Sequence, residues 1–443
     1  MVGIFLLVML AAEVGMCVYN FVKKTPAHRE RSILRLAEAA AICTFYLLAP
    51  KGTTFQWVAL FLMGAVLLVT GIVGFIRSRN DGKEGAEVKP FRAGGAIART
   101  VFKSLAWVMV LIPLFIFPPY KEPETSGEFT AASKVYTWVD ESRVETLDDS
   151  GEKRHVTVTF YYPAEKSDSE KCPLIIFSHG AFGFEKSNYS SYNELVSNGY
   201  VVASVSHTYH AFFTEEADGT TKIVNSQFIQ EAVDATNGIY SNKQEQYELT
   251  KKWMDVRLGD ANFVLDSIIA SCNSKEDPFF GRIDLEHIGY YGHSMGGATA
   301  VEMGRQREEI DAVVVLDGTF IGAYTGVEND SYTFIEDPYT KPILEMRARN
   351  HSDDTQMLEG ERDYVNVYTM NHALNGKVTV IDGTAHMNLT DLPLFSPTLA
   401  KMLGTGDRDS REAIEITNEC VREWFDAYVK GDGSVTPHIK AEY

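Results

Sequence analysis

Gly292-His293-Ser294-Met295-Gly296 is the run of this chain best suited to chemistry. It follows a short apolar stretch, His287-Ile-Gly-Tyr-Tyr, and opens a helical pattern over Gly296–Arg307. That setting, strand then turn then helix, is what a Gly-x-Ser-x-Gly nucleophile elbow requires. The glycines answer crowding: in so sharp a turn, side chains two positions either side of the serine would collide with neighbouring backbone. The turn also sets the serine at a helix N-terminus, where free N–H groups and the helix dipole favour developing negative charge. Ser294 is the expected nucleophile.

A serine hydroxyl is barely ionised at neutral pH and needs a base. The chain order for such an elbow is serine, acid, histidine. His351, His372, His386 and His438 lie downstream. His386 follows a strand-like run and a turn, Lys377-Val-Thr-Val-Ile-Asp-Gly-Thr-Ala-His, ahead of the last helical pattern, which is where the base belongs. His372 precedes that run and His438 lies in the polar tail, so solvated positions are expected for both. Two sites compete for the acid. Asp317 ends the run Ala312-Val-Val-Val-Leu, whereas Asp353 and Asp354 follow the next strand by several residues, in what reads as a polar loop. A carboxylate that must orient an imidazole and stabilise its cation should be fixed at a strand end, which favours Asp317.

An earlier strand-like run ends in Ser178-His179-Gly180-Ala181-Phe182-Gly183. A His-Gly turn there lets a backbone N–H point into the site. The N–H groups of Ala181 and Met295 would then cradle a tetrahedral oxyanion. His179 itself is expected to make a structural hydrogen bond.

These residues need a frame. From about Ala131 onward, short apolar runs at Pro173, Tyr200, His287, Ala312, Pro342 and Lys377 alternate with helical patterns, notably Tyr247–Ser271, Gly296–Arg307 and Ser410–Val429. Val156-Thr-Val-Thr-Phe-Tyr-Tyr alternates with period two, as a half-buried strand does. Strand alternating with helix implies a mostly parallel sheet covered on both faces. In such sheets chemistry gathers at the carboxyl ends of the strands. The expected class is α/β, with the α/β-hydrolase arrangement that the elbow implies. Between Tyr209 and Glu248 lies a long insertion carrying Phe212, Phe213, Phe228 and Tyr240. Such insertions often form lids over a catalytic face, and ordinary packing under a loop is the equal alternative.

The first part of the chain differs. Four apolar segments, 2–22, 33–50, 55–76 and 101–118, suit the roughly 20 residues a membrane helix needs. The first has no basic residue ahead of it, so it reads as a retained anchor rather than a signal peptide. Lys23, Lys24, Arg29, Arg31 and Arg35 lie between the first two segments. Arg77, Arg79, Lys83, Lys89, Arg92, Arg99 and Lys103 lie between the last two. The connection Lys51-Gly52-Thr53-Thr54 is nearly neutral. By the positive-inside rule the basic loops are cytoplasmic and the N-terminus outside, so the catalytic part is extracytoplasmic. The expected division is a transmembrane region at 1–120, a linker at 121–130 and a catalytic domain at 131–443. Glu13 and Glu38 fall within or near the spans. With no second ionisable partner visible, an interhelical hydrogen bond or a protonated carboxyl is expected there, although an intramembrane carboxylate is a functional candidate by default.

A formal charge of -19 argues against nucleic acid, whose phosphates need basic side chains. The five cysteines, Cys17, Cys43, Cys172, Cys272 and Cys420, form no CxxC or Cys/His cluster, so no metal or other cofactor is indicated.

The catalytic part resembles the platelet-activating-factor acetylhydrolases, the plasma lipoprotein-associated phospholipase A2 group, over roughly Tyr161–Leu394. Five places carry the likeness in order. They are Pro173-Leu-Ile-Ile-Phe-Ser-His-Gly, Val205-Ser-His207, Ile283 through the elbow to Gly-Gly-Ala-Thr299, Val315-Leu-Asp317-Gly, and Gly383-Thr-Ala-His386-Met-Asn388-Leu-Thr-Asp391. The resemblance implies an α/β-hydrolase, an acid at Asp317, oxyanion donors at Ala181 and Met295, and a lipid or small ester as substrate. The chain departs from that pattern at Tyr209, where the family usually has an acidic residue, and in its apolar spans, which give it the look of bacterial membrane-anchored hydrolases. Ester hydrolysis through an acyl-enzyme is the expected activity. An acyltransferase using the same triad, or a silent membrane sensor on a hydrolase scaffold, are the alternatives.

Overall fold

The computed structural model describes residues 1–49, 55–79, 91–357, 364–431 and 433–443. Pro50, the Lys51–Thr54 connection, Lys83 and Lys89 lie outside them. The chain forms two compact units, one of residues 1–122 with 394–402, the other of residues 123–393 with 403–443.

The first unit holds α1 (Val2–Lys23), α2 (His28–Leu48), α3 (Val58–Ser78) and α4 (Ala93–Ile116). Three stretches, Val2–Lys23, Phe55–Ser78 and Ala93–Ile116, are long and apolar enough to cross a membrane. The expected second span is not among them, because Arg31, Arg35 and Glu38 all fall within the last 18 residues of α2. Ile42, Leu60, Trp107 and Leu111 are buried between the helices, while Leu7, Leu47, Leu62 and Phe102 face outward and are exposed. An apolar outer surface suits a lipid solvent rather than water. The late segment packs here too: Ser396 donates its hydroxyl proton to the Ile116 carbonyl at 2.7 Å.

Glu13 and Glu38 do have an ionisable partner, contrary to the sequence expectation. Lys103 is not a loop residue but lies inside α4. Its ammonium pairs with the Glu13 carboxylate and stands 3.4 Å from Glu38 Oε2. A cation among low-dielectric helices is stabilised by such partners, which is why it can sit there.

The second unit is built on one eight-stranded sheet. Its strands are β1 (Ala131–Val144), β2 (Lys153–Pro163), β3 (Cys172–Ser178), β4 (Val201–Ser206), β5 (Ile283–His293), β6 (Ile310–Leu316), β7 (Ile343–Ala348) and β8 (Gly376–Ile381). Their spatial order is β1-β2-β4-β3-β5-β6-β7-β8. From β4 to β8 every neighbour is parallel; β1 and β2 join antiparallel at one edge. Alternation along the strands divides the core. Leu174, Ile176, Tyr290, Val313 and Val315 enter one buried cluster, and Ile175, Phe177, Tyr291, Val314 and Leu316 the other. Both faces are therefore dry, which explains why these runs read as continuously apolar. Each such side chain contributes about 1.5–3 kcal/mol on burial.

Helices cover both faces, among them α5 (Tyr189–Ser197), α7 (Lys243–Ser274), α8 (Met295–Gln306), α9 (Arg349–Gln356), α10 (Val365–Asn371) and the closing Ser410–Phe425, while α6 (Ser226–Thr236) packs its buried Phe228 into a separate cluster with Trp253 and Met295. Asp353 and Asp354 sit in α9, not in a loop, and Arg349 pairs with Asp353 at 3.8 Å. His372 is half-buried at the end of α10 and stacks on Tyr368 with ring centroids 4.1 Å apart, rather than standing in solvent.

Candidate active site

Ser294 joins β5 to α8 with φ 55° and ψ −123°, a conformation costly for a residue with a Cβ. Strain of this kind is of order 1–3 kcal/mol and must be imposed by the surroundings. Here they are crowded. A Cβ on Gly292 would stand 2.3 Å from the Gly296 carbonyl, and one on Gly296 only 1.9 Å from the Ser178 oxygen. Both neighbours must therefore be glycine for the elbow to close. The Ser294 N–H also donates to the Leu316 carbonyl at 2.9 Å, tying the turn to β6.

Asp317 comes one residue after β6 and is 5 % exposed. Its Oδ2 accepts from His386 Nδ1 at 2.7 Å. Its Oδ1 accepts from the Ala348 N–H at 2.7 Å and from His351 Nδ1 at 2.9 Å. Burial alone would raise this carboxyl's pKa, but the bonds and charges of the two histidines hold it well below the usual range. It is thus an acceptor only, which places the proton of both rings on Nδ1. For His386 that tautomer leaves Nε2 to take a proton from a hydroxyl.

The loop bearing His386 is fixed from behind. Asn388 Oδ1 accepts from the Ala385 and Gly406 N–H groups at 2.9 and 2.8 Å. Asp391 accepts from the Ser190 N–H at 2.6 Å, anchoring the loop to α5. The His-x-Asn-x-x-Asp run is a loop-holding device. His293, next to the serine, lies with its ring 4.4 Å from that of His386, and its Nε2 bonds the His386 carbonyl at 3.1 Å. Burial and the His386 charge push its pKa down to about 3.

The turn after β3 runs over the serine. A Cβ on Gly180 would be 3.1 Å from Ser294 Cβ and 2.9 Å from His293 Nδ1. Ala181 is the next residue, and Met295 is the first of α8, where N–H groups lack intrahelical acceptors. Both candidate donors are therefore brought beside the serine. Their side chains belong to an apolar cluster with Phe228, Leu249, Trp253, Met254 and Ala298. Phe228 is buried, stacked on His210 at 4.0 Å, and so serves packing; Phe212 is exposed, and Phe213 stacks on Phe184.

Such a constellation suits acyl transfer: a constrained serine, an imidazole oriented by an ionised carboxylate, and N–H groups at a helix start. The family model of platelet-activating factor acetylhydrolase, isoform II, matches residues 154–430. The chain belongs to this family. Platelet-activating factor acetylhydrolases of Gallus gallus and Canis lupus familiaris are each 24% identical to it, over 274 and 270 residues. Each match covers 56% of this chain, and 60% and 55% of the respective relative. The chain thus spans less than two thirds of the relatives it matches. A ferulic acid esterase from Streptomyces cinnamoneus superposes with a TM-score of 0.52 at 21% identity, covering 72% of this chain and 94% of the esterase. With the sheet order above, that likeness shows the fold to be α/β-hydrolase.

On this acetylhydrolase-family frame, sequence reasoning missed a buried polar network beneath the His179-Gly180-Ala181 turn. Arg257, fully buried in α7, donates to the His179 carbonyl and, at 3.2 Å, to the Gly180 carbonyl. Burial lowers its pKa to about 9, against the opposing pull of Asp260. Asp260 in turn bonds Arg154 at 2.7 Å and His207 Nδ1 at 3.2 Å, and His207 Nε2 bonds Ser178 Oγ at 2.9 Å. His179 is wholly buried and accepts the His207 N–H at 3.2 Å on Nε2, as expected of a structural residue. The missed signal was available: Arg257 and Asp260 occupy the same helical stripe as Trp253, Val264 and Ile268, where charge is unusual.

Proposed function

We propose that the protein is a membrane-anchored serine ester hydrolase. Ser294 is its nucleophile, His386 its base and Asp317 the carboxylate that orients it, with the N–H groups of Ala181 and Met295 as the oxyanion hole. The observation that carries this reading is the 2.7 Å bond from His386 Nδ1 to Asp317, which directly follows β6, the strand paired with the one that ends in the strained Ser294 turn. Ser294 Oγ attacks the acyl carbon while His386 Nε2 takes its proton. The tetrahedral oxyanion is held by the two N–H groups, and His386 returns the proton to the leaving alcohol. Water then releases the acid from the acyl-enzyme by the same route.

For the substrate we propose a carboxylic ester of a lipid, such as a short or oxidised sn-2 acyl group of a phospholipid. Family membership and the apolar cluster around Met295 and Ala181 support that class. The anchor is residues 1–120, with the catalytic domain at 131–443 after a short linker and facing the extracytoplasmic side, as the loop charges argue. A fluorophosphonate probe, followed by graded p-nitrophenyl esters and phosphatidylcholines of short and long sn-2 chain, tests the whole reading. Labelling that survives Ser294→Ala unchanged would overturn it. Appearance of a new ester when an alcohol is added would instead favour acyl transfer.

A further inference from the structure

Asp317 holds two histidines, and the proposed triad employs one. His351, in the first turn of α9, donates Nδ1–H to Asp317 Oδ1 at 2.9 Å while His386 holds Oδ2. Its other nitrogen is also engaged: Nε2 is 2.7 Å from the Tyr364 hydroxyl, which is 2.8 Å from Thr319 Oγ1. With both nitrogens bonded and its side chain 16% exposed, against 39% for His386, His351 is poorly placed to take a proton from a substrate-bound serine. It is well placed to act on the carboxylate. The groups facing it are Asp317 from β6, Glu345 and Arg347 from β7, and Tyr364 ahead of α10, with Arg349, Asp353 and Asp354 on its own helix. Glu345 and Arg347 pair with one another at 2.7 Å, so Asp317 is the dominant charge on the ring.

We propose that His351 is a positioning residue for Asp317, and that protonation of His351 weakens the triad in acid. This rests on the triad reading given above.

In its neutral form His351 donates from Nδ1, accepts the Tyr364 proton on Nε2, and adds no net charge to the site. Asp317 then presents its full negative charge to the imidazolium that forms on His386 in the transition state. When His351 takes a proton from solvent on Nε2, the Tyr364 hydroxyl must turn to accept from it and donate to Thr319. A positive charge then sits on the opposite oxygen of the same carboxylate. The field available to the His386 cation falls, and the rate with it. Burial opposes that protonation, but the Asp317 bond and charge outweigh it and hold the imidazole above its ordinary value. His351 therefore takes its proton at a higher pH than a free imidazole would.

The test compares His351→Asn with His351→Ala in the full-length protein in detergent, reading kcat and KM for a short-chain ester from pH 5 to 9. Asparagine keeps a donor near the position of Nδ1 but cannot titrate. It should retain kcat within about threefold of wild type at pH 8.5 and show a shallower acid limb, with one ionisation fewer than wild type. Alanine should lose about 10–100-fold in kcat, with KM within twofold. An acid limb of unchanged shape in His351→Asn, an asparagine variant as impaired as alanine, or an alanine variant of wild-type kcat each overturns the proposal. Ser294→Ala run in parallel separates the two claims. Turnover that survives it sinks the triad reading, whereas a dead Ser294→Ala beside an unaffected His351→Ala sinks this inference alone.

Discussion

Gly296 stands so near the Ser178 carbonyl that a single added carbon would come within 1.9 Å of its oxygen. The elbow of β5 and the end of β3 are thus one close-packed object, and the serine's unusual backbone is held by it. Gly296→Ala should destabilise the catalytic unit by about 1–3 kcal/mol through forced backbone movement and remove ester turnover. Thermal unfolding together with probe labelling checks this; a variant with native Tm and native labelling would contradict it.

Asp317 is proposed as the acid on its bonds to His386 and His351, not on its position along the chain. Asp317→Asn keeps the shape of the side chain but offers a donor where His386 needs an acceptor. A loss of about 10⁴ in kcat is expected, the size seen when such a carboxylate is neutralised in a serine triad. Asp353→Asn and Asp354→Asn, on α9, should stay within about twofold. Steady-state kinetics on the three variants decides; an unimpaired Asp317→Asn would refute the assignment.

Arg257 spans two carbonyls of the turn that carries Ala181. Lysine keeps a positive charge beside Asp260 but lacks the planar fork. Arg257→Lys should therefore lower kcat by about tenfold through a loosened oxyanion turn, at nearly unchanged KM. Equal changes in kcat and KM would point to a disturbed binding surface instead.

Buried neutral histidines give stability a pH slope. His293 and His207 have pKa values lowered to about 3 and about 4, in both cases chiefly by burial. An unfolded histidine protonates near pH 6.5. Below that pH the unfolded chain binds protons that the folded one refuses, so stability falls as pH falls, by up to about 1.4 kcal/mol per pH unit for each histidine. The window runs from about pH 6.5 down to about pH 4. Tm should drop steadily across it, and His293→Gln should make the slope shallower. A Tm that is flat from pH 6.5 to 4.5 would show the histidines to be accessible.

The residues in play divide by how local their causes are. Ser294, Gly292 and Gly296 were legible because an elbow is a property of five consecutive residues and the runs on either side. The strands β3, β4 and β6 were legible because burial on both faces leaves a nearly unbroken apolar run. The edge strand β1 was not, since one side of it faces water and its pattern mixes polar and apolar residues. The small hairpins at Phe213–Ile223 and Tyr324–Phe334 were missed for the same reason.

What the sequence determined by itself is therefore the strand-turn-helix elbow at Ser294, the loop bearing His386, the apolar helices and the class of sheet, all written in short-range pattern. Tertiary structure alone decided the partners. Asp317 takes histidines 34 and 69 residues away. Lys103 leaves the basic loop where counting had put it and meets Glu13, 90 residues off, and Glu38. Arg257 reaches a turn 77 residues upstream. A lone pair or a charge is satisfied by whatever the packed fold brings within about 3 Å, and that proximity is set by how the sheet and helices stack, which no local pattern encodes.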